Sequence, residues 1–185
     1  MFKSYPFSIN LLGYASIGMM ACAIALTTLA IGLPYWERSE VTLGDLVTIT
    51  NQGLWTYCIN FSPETTYTDS CGTYGEIAGS DETAMNATRA LAFIGLVLGI
   101  AALVMAVLAT FPFKTNNRIH FICAGLGTAS GVFLMLTMVV FVARTKMSDY
   151  DVDVCVSLVI IGWLAAWVSA GYILFAFSVK YQADN

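Results

Sequence analysis

Two cysteines, Cys58 and Cys71, are the residues of this chain best placed for covalent chemistry. Both lie in a polar stretch, whereas Cys22 and Cys123 lie in apolar runs and Cys155 lies at the edge of one. A cysteine pair in a polar loop of a hydrophobic chain favours a disulfide, and disulfides persist in oxidising compartments. We therefore predict a Cys58–Cys71 disulfide in a non-cytosolic loop, and three inert thiols that pack as small hydrophobic side chains.

Other reactive side chains do not form the groupings that catalysis needs. The only histidine, His120, borders an apolar run, and we predict an interfacial residue rather than a base or a ligand. Acids alternate from Asp149 to Asp153, but the glycine and glutamate of an EF-hand calcium loop are missing. The sequence has no Cys-x-x-Cys motif and no ionisable cluster inside its apolar segments. We predict that the protein is not an enzyme and has no cofactor or metal.

The composition is that of a membrane protein. The 185 residues are 58% hydrophobic and 11% charged, and the mean hydropathy is +0.74. Soluble domains carry about 25% charged residues, so the charge deficit favours lipid as the surrounding solvent. The formal net charge of −4 argues against nucleic-acid binding, which requires a basic surface.

Four apolar segments are long enough to span a bilayer, which takes about 20 residues. They predict one domain over residues 1–185, an all-α left-handed bundle of four transmembrane helices at about 9–33, 87–111, 119–142 and 154–179. Loops at about 35–86 and 143–153 then lie on one side of the membrane, opposite both termini. Lysine and arginine counts do not orient the bundle, because four lie on each side. The cysteine pair does, and it predicts an outside first loop and cytosolic termini.

The first loop carries strand signals. Residues 41–43, 46–50 and 54–61 are rich in β-branched and aromatic types, and Gly44-Asp45 and Asn51-Gln52-Gly53 supply turn residues. We predict a small extracellular antiparallel sheet, extended by a strand of the second loop. A disulfide across it contributes about 3 kcal/mol.

Small residues recur at four-residue spacing within two of the helices. The pairs are Gly95 with Gly99 and Gly127 with Gly131. Such pairs let helix backbones approach closely in lipid. We predict that they pack inside the bundle; contact with a partner is the alternative.

The run Gly53-Leu54-Trp55-Thr56-Tyr57-Cys58, followed by Cys71, resembles the G-L-W-x-x-C…C signature of the claudin and peripheral-myelin-protein superfamily. Three further runs are similar to claudin segments: Leu-Pro-Tyr-Trp-Glu-Arg-Ser at 33–39, Ala-Thr-Arg-Ala-Leu at 87–91 and Gly-Trp-Leu-Ala-Ala at 162–166. The resemblance implies that Trp55 rests against the outer bundle surface, that Trp36 is structural, and that Arg89 orders the base of the loop. A divergent, invertebrate-type claudin-like protein fits these matches.

The claudin resemblance implies a multi-pass protein of the plasma membrane, at cell–cell junctions, that associates with itself in cis and in trans. Eight acids lie between residues 37 and 89, opposed only by Arg38 and Arg89. These acids predict either a solvated loop surface or a lining that favours cations in a paracellular pathway. For the second case, Glu64 and Asp69 are the candidate selectivity residues, because claudin selectivity residues lie near the stapled strands.

Two other functions stay open. The second loop lacks the aromatic–proline pattern of adhesive claudins. An auxiliary subunit of an ion channel or neurotransmitter receptor is therefore the main alternative, with the surface of the third and fourth helices docked on the larger partner. A myelin-protein-like tetraspan that organises membrane is the third.

Overall fold

The computed structural model describes residues 6–43, 46–62, 68–73, 82–112, 117–145 and 151–184. The helices are α1 Pro6–Gly32, α2 Glu82–Thr110, α3 Asn117–Thr145 and α4 Val154–Asp184. The strands are β1 Glu37–Leu43, β2 Leu46–Gln52, β3 Thr56–Ser62, β4 Thr68–Thr73 and β5 Asp151–Val152.

Within these described ranges, four helices are long and apolar enough to cross a membrane, which confirms the predicted helical architecture. The candidate spans are Leu11–Gly32, Thr83–Thr110, Asn117–Thr145 and Val154–Ser178. Large apolar side chains project outward along them and are 54–61% exposed, among them Leu11, Val97, Val104 and Phe175. In a bilayer this surface contacts lipid.

The helix ends differ from the predicted bounds at the sheet side of the bundle. Helix α2 begins at Glu82 rather than about residue 87, and α3 continues to Thr145 rather than about 142. The apolar segments of the sequence end before these outer turns, which contain polar residues and still continue as helix. As a result, Arg89 lies seven residues after the start of α2 rather than two, and Arg144 belongs to α3 rather than to the second loop.

The four helices form a ring in which α1 packs on α2, α2 on α3, α3 on α4 and α4 on α1. Both glycine pairs lie inside the bundle, as predicted. A Cβ atom on Gly95 would lie 2.8 Å from Leu134 Cδ2, and one on Gly99 would lie 3.1 Å from Ser130 Oγ. A Cβ atom on Gly127 would lie 3.1 Å from Met20 Cε, and one on Gly131 would overlap the Trp167 ring. The glycines therefore set the helix spacing.

The strands form one antiparallel sheet in the order β4-β3-β2-β1-β5. Strand β5 comes from the second loop and pairs with β1, which confirms the predicted extension. The predicted strand at 54–61 starts later, at Thr56, because residues 53–55 form a turn. Leu54 is fully buried and Trp55 faces α2, so their apolar character reflects docking on the helices rather than strand alternation.

The two largest fully buried side chains, Trp36 and Phe141, lie where the sheet meets the helices. One core cluster at this end contains Trp36, Leu54, Met85 and Phe141. Further along the helices, the buried residues are mostly alanine, such as Ala102 and Ala106. The bundle is therefore packed most heavily beneath the sheet.

Candidate functional site

Trp36 joins the end of α1 to the sheet. The next helical hydrogen bond to the Ala30 carbonyl would come from residue 34, which is a proline and has no N–H. The indole Nε1–H of Trp36 donates to that carbonyl instead, at 2.6 Å. The ring is fully buried and meets the Phe141 ring of α3 edge-to-face at 4.8 Å. The side chain therefore caps one helix and packs against another.

The backbone of Trp36 makes two further connections. Its N–H donates to the Gln52 carbonyl at 2.9 Å, and its carbonyl accepts the Asp153 N–H at 3.0 Å. The neighbouring Tyr35 carbonyl accepts the N–H of Cys155, in the first turn of α4, at 2.9 Å. One short segment thus links α1, β2, α3 and α4. This is where the structure places the residue predicted to be structural.

The turn of the G-L-W motif fits directly beneath this segment. The Gly53 N–H donates to the Thr56 carbonyl at 2.8 Å, which closes the turn before β3. A Cβ atom on Gly53 would lie 2.6 Å from Pro34 Cα and 2.8 Å from the Leu33 carbonyl oxygen. Both neighbours are backbone atoms of the α1 end. Only glycine allows this approach without displacement.

We therefore expect Gly53→Ala to reduce the free energy of unfolding by about 1–3 kcal/mol, because the added methyl group meets backbone rather than a flexible side chain. Gly18→Ala is the matched control, since nothing lies within 4 Å of a Cβ atom there. Unfolding of both purified variants in detergent measures the difference. Equal stability of the two variants would contradict the close approach.

Trp55 and Arg89 attach the motif to α2. The Arg89 Nε–H donates to the Leu54 carbonyl at 2.7 Å, and the guanidinium lies 4.8 Å from the centre of the Trp55 ring. Trp55 is 40% exposed and meets Phe93 of α2 edge-to-face at 5.8 Å. A half-exposed indole with a cation over its face suits the boundary between lipid and water.

Cys58 and Cys71 lie directly opposite each other in β3 and β4, with Cα atoms 4.1 Å apart, and form a disulfide. The predicted bond is therefore present, and it ties the edge strand β4 to the rest of the sheet. Cys22, Cys123 and Cys155 are free thiols. Cys22 is exposed on α1, and the other two are buried.

The sequence did not reveal that Glu37 is buried. It is one of the eight acids that predict a solvated or ion-lining loop surface, but it is 1% exposed, so that prediction is wrong for this residue. Arg144 lies beside it, with Nη1 3.6 Å from Oε1. Burial raises the pKa of the Glu37 carboxyl above its ordinary value, and the Arg144 charge opposes part of that rise. The position directly after Trp36 was the one available signal.

One of the two candidate selectivity residues falls within the described residues. Asp69 lies in β4, opposite Asn60 of β3 and two positions before Cys71. Glu64 lies outside the described residues. Their role stays a prediction.

His120 lies in the first turn of α3 and is 9% exposed. Its ring centre is 6.1 Å from that of Phe177 on α4. Its position is therefore the packed start of a helix, on the side of the bundle away from the sheet. In the described part of the chain, no three His, Cys, Asp or Glu side chains are grouped so as to hold a metal ion.

Four spanning helices that carry a disulfide-bonded antiparallel sheet define a multi-pass membrane protein of the tetraspan class. Residues 9–174 match the model of the PMP-22/EMP/MP20/Claudin family, and the chain belongs to this family. The match confirms the resemblance that the G-L-W-x-x-C motif indicated. Comparison with curated proteins gave no match. Membership supports, in general terms, a junctional or channel-associated role rather than a catalytic one.

Proposed function

We propose that this protein is a claudin-like component of cell–cell junctions that controls a paracellular barrier or cation permeability by self-association. The observation that supports this most is a single-layer sheet fixed at its base. A sheet normally buries one face against a second layer. Here the side chains of residues 47–51 and 56–60 are only half-buried. Both faces therefore offer surface to further copies, beside one another in cis or across a cell contact in trans.

Self-association is tested by freeze-fracture of cells that express only this chain. Continuous intramembrane strands at cell contacts are the expected result. Scattered particles without strands would contradict the junction proposal. Gly53→Ala serves as a control for sheet docking. The added methyl group meets the backbone that follows α1 and does not change the exposed faces of the sheet.

The proposal includes an orientation, with the sheet outside the plasma membrane and both termini in the cytosol. The Cys58–Cys71 disulfide supports it, because the cytosol keeps thiols reduced. Treatment of intact cells with a membrane-impermeant reductant should expose both sulfurs to an impermeant thiol reagent. Labelling that required permeabilised cells would reverse the orientation.

Charge selectivity gives a separate prediction for the far edge of the sheet. Asp69→Asn should lower the sodium-to-chloride permeability ratio of an expressing monolayer. A unit charge 4 Å from an ion in water contributes about 1 kcal/mol, or about fivefold, in favour of the cation and the same amount against the anion, so the ratio should fall by roughly thirtyfold at most. Glu64→Gln should act in the same direction.

Asp151→Asn is the matched control, because it removes an exposed acid from β5, the opposite edge of the sheet. It should leave the ratio near the wild-type value. An unchanged ratio in Asp69→Asn would remove Asp69 from the selectivity residues. An equal fall in both variants would indicate a diffuse surface charge rather than a lining.

A second function, as an auxiliary subunit of a channel or receptor, is favoured by a groove on the outer surface of α3 and α4. The groove measures about 610 Å³ and is lined by Phe121, Gly125, Thr128, Ala129, Val132 and Leu174, among others. A Cβ atom on Gly125 would meet nothing within 4 Å. Small residues on a lipid-facing surface allow the backbone of another helix to approach. Recovery of a channel on mild-detergent purification, together with scattered freeze-fracture particles, would favour this function.

A further inference from the structure

We propose that Glu37 is a proton-sensitive contact through which mild acid strengthens the attachment of the sheet to the helices. Glu37 is the first residue of β1 and pairs with Gln52 of β2 and Val152 of β5. It therefore occupies the row of the sheet that lies nearest the bundle. The proposal concerns the folded chain itself and does not depend on the proposed function or orientation.

Few groups near the Glu37 carboxylate offset the cost of burying its charge. Its side chain is 1% exposed, and neither oxygen has a hydrogen-bond partner among the described residues. The Arg144 Nη1 atom is 3.6 Å away, which is longer than an N–H···O hydrogen bond of about 2.7–3.2 Å. The same Nη1 is directed at the Met85 sulfur at 3.9 Å. An ion pair of this kind repays only part of the desolvation of two charges.

Other ionisable groups near Glu37 do not supply a second positive charge within the described ranges. Strand β2 contributes the uncharged Asn51 and Gln52 at this end, and α2 contributes Met85. The charged or titratable residues on the adjoining elements at this end are Arg144 on α3, Glu82 and Arg89 on α2, Asp151 on β5, Asp153 and Cys155 at the start of α4, and Arg38 and Glu40 on β1 itself. The Arg89 guanidinium is directed at the Leu54 carbonyl and the Trp55 ring, and Arg144 is the charge that lowers the pKa of Glu37. Arg38 and Glu40 are exposed and pair with each other at 3.7 Å.

The sign of the pH dependence follows from burial. Folding raises the pKa of the Glu37 carboxyl above its ordinary value of 4.5, first because of burial and despite the opposing Arg144 charge. The folded protein therefore binds this proton more tightly than the unfolded chain does. The stabilising contribution is complete below pH 4.5 and is lost as pH rises through the raised pKa. Protonation also frees the partly exposed Arg144 to turn towards solvent.

The test compares thermal unfolding of wild type and Glu37→Gln at pH 7.5 and at pH 5, in the same detergent. Glutamine keeps the shape of the protonated carboxyl. We expect its midpoint to exceed that of wild type at pH 7.5 by about 2–4 °C, the usual size of a modest single-site stabilisation in a chain of this length. At pH 5 the two midpoints should converge. Glu40→Gln, a substitution at an exposed acid of the same strand, should follow the wild type at both values.

Two results would overturn the proposal. One is a Glu37→Gln protein that is less stable than wild type at pH 7.5, because the ionised carboxylate would then be a net stabiliser. The other is a difference between the two proteins that does not change with pH. Hydrogen exchange of the β1 amides in the wild type gives a readout that needs no variant. After correction for the intrinsic pH dependence, exchange should slow on acidification, and exchange that stays constant or accelerates would also exclude the proposal.

Discussion

Replacement of Trp36 by alanine should reduce the free energy of unfolding by about 3–5 kcal/mol, the usual effect of removing a buried tryptophan from a core. The ring is fully buried against Phe141, so the substitution leaves a cavity between α1, α3 and the sheet. It also leaves the Ala30 carbonyl without the indole donor, which Pro34 cannot replace. Unfolding of the purified protein by SDS in mixed micelles measures the loss.

Trp36→Phe separates packing from hydrogen bonding. Phenylalanine keeps an aromatic ring near Phe141 but has no donor for the Ala30 carbonyl, whose loss in a buried site costs about 1–3 kcal/mol. We therefore expect an intermediate stability. A phenylalanine variant as stable as wild type would show that the indole hydrogen bond does not matter, and an alanine variant within about 1 kcal/mol of wild type would contradict the packing argument.

Removal of the disulfide is expected to have the second-largest effect. In Cys58→Ser/Cys71→Ser, the free energy of unfolding should fall by about 3 kcal/mol, since the bond closes a short loop with a sequence separation of 13. The loss should be concentrated in β4, which is an edge strand paired only with β3 among the described strands. Denaturation measured with and without reductant, together with hydrogen exchange of β4, tests both parts.

Cys22→Ser is the matched control, because Cys22 is a free and exposed thiol on α1. The stability of Cys22→Ser should equal that of wild type. Adding Cys22→Ser to Cys58→Ser/Cys71→Ser should not change the loss that the double substitution causes. If reductant left wild-type stability unchanged, the sheet would be held by its hydrogen bonds and its contacts with the helices alone.

Much of the fold was predictable because lipid imposes strong rules on sequence. Four long apolar segments specified the helices, and β-branched residues bounded by turn residues specified the sheet. The glycine pairs predicted close packing inside the bundle, and the side chains opposite them belong to other helices. Each of these features depends on local composition or on a fixed spacing.

What could not be predicted depends on contacts between distant parts of the chain. The burial of Glu37 depends on contacts with β2, β5 and α3, which lie far away in the sequence. Its position directly after Trp36 was the only local feature that set it apart from the exposed Glu40. The first turns of α2 contain polar residues and were therefore left out of the predicted helix, although Met85 there is buried in one cluster with Trp36 and Leu54. Pro34 has no N–H, so the sequence indicates that the Ala30 carbonyl needs another donor. Only the structure shows that this donor is the indole of Trp36.

The connection from α1 to β1 is only four residues long, from Leu33 to Trp36, and three of its backbone groups are hydrogen-bonded to other elements. The first strand therefore has little freedom to pivot about the helix that precedes it. The direction in which the sheet faces, viewed along the membrane normal, is therefore set by how the helices are rotated in the bilayer plane. A neighbouring molecule that contacted the sheet would fix the rotation of all four helices about that normal, and a rotation of the helices would turn the sheet by the same angle.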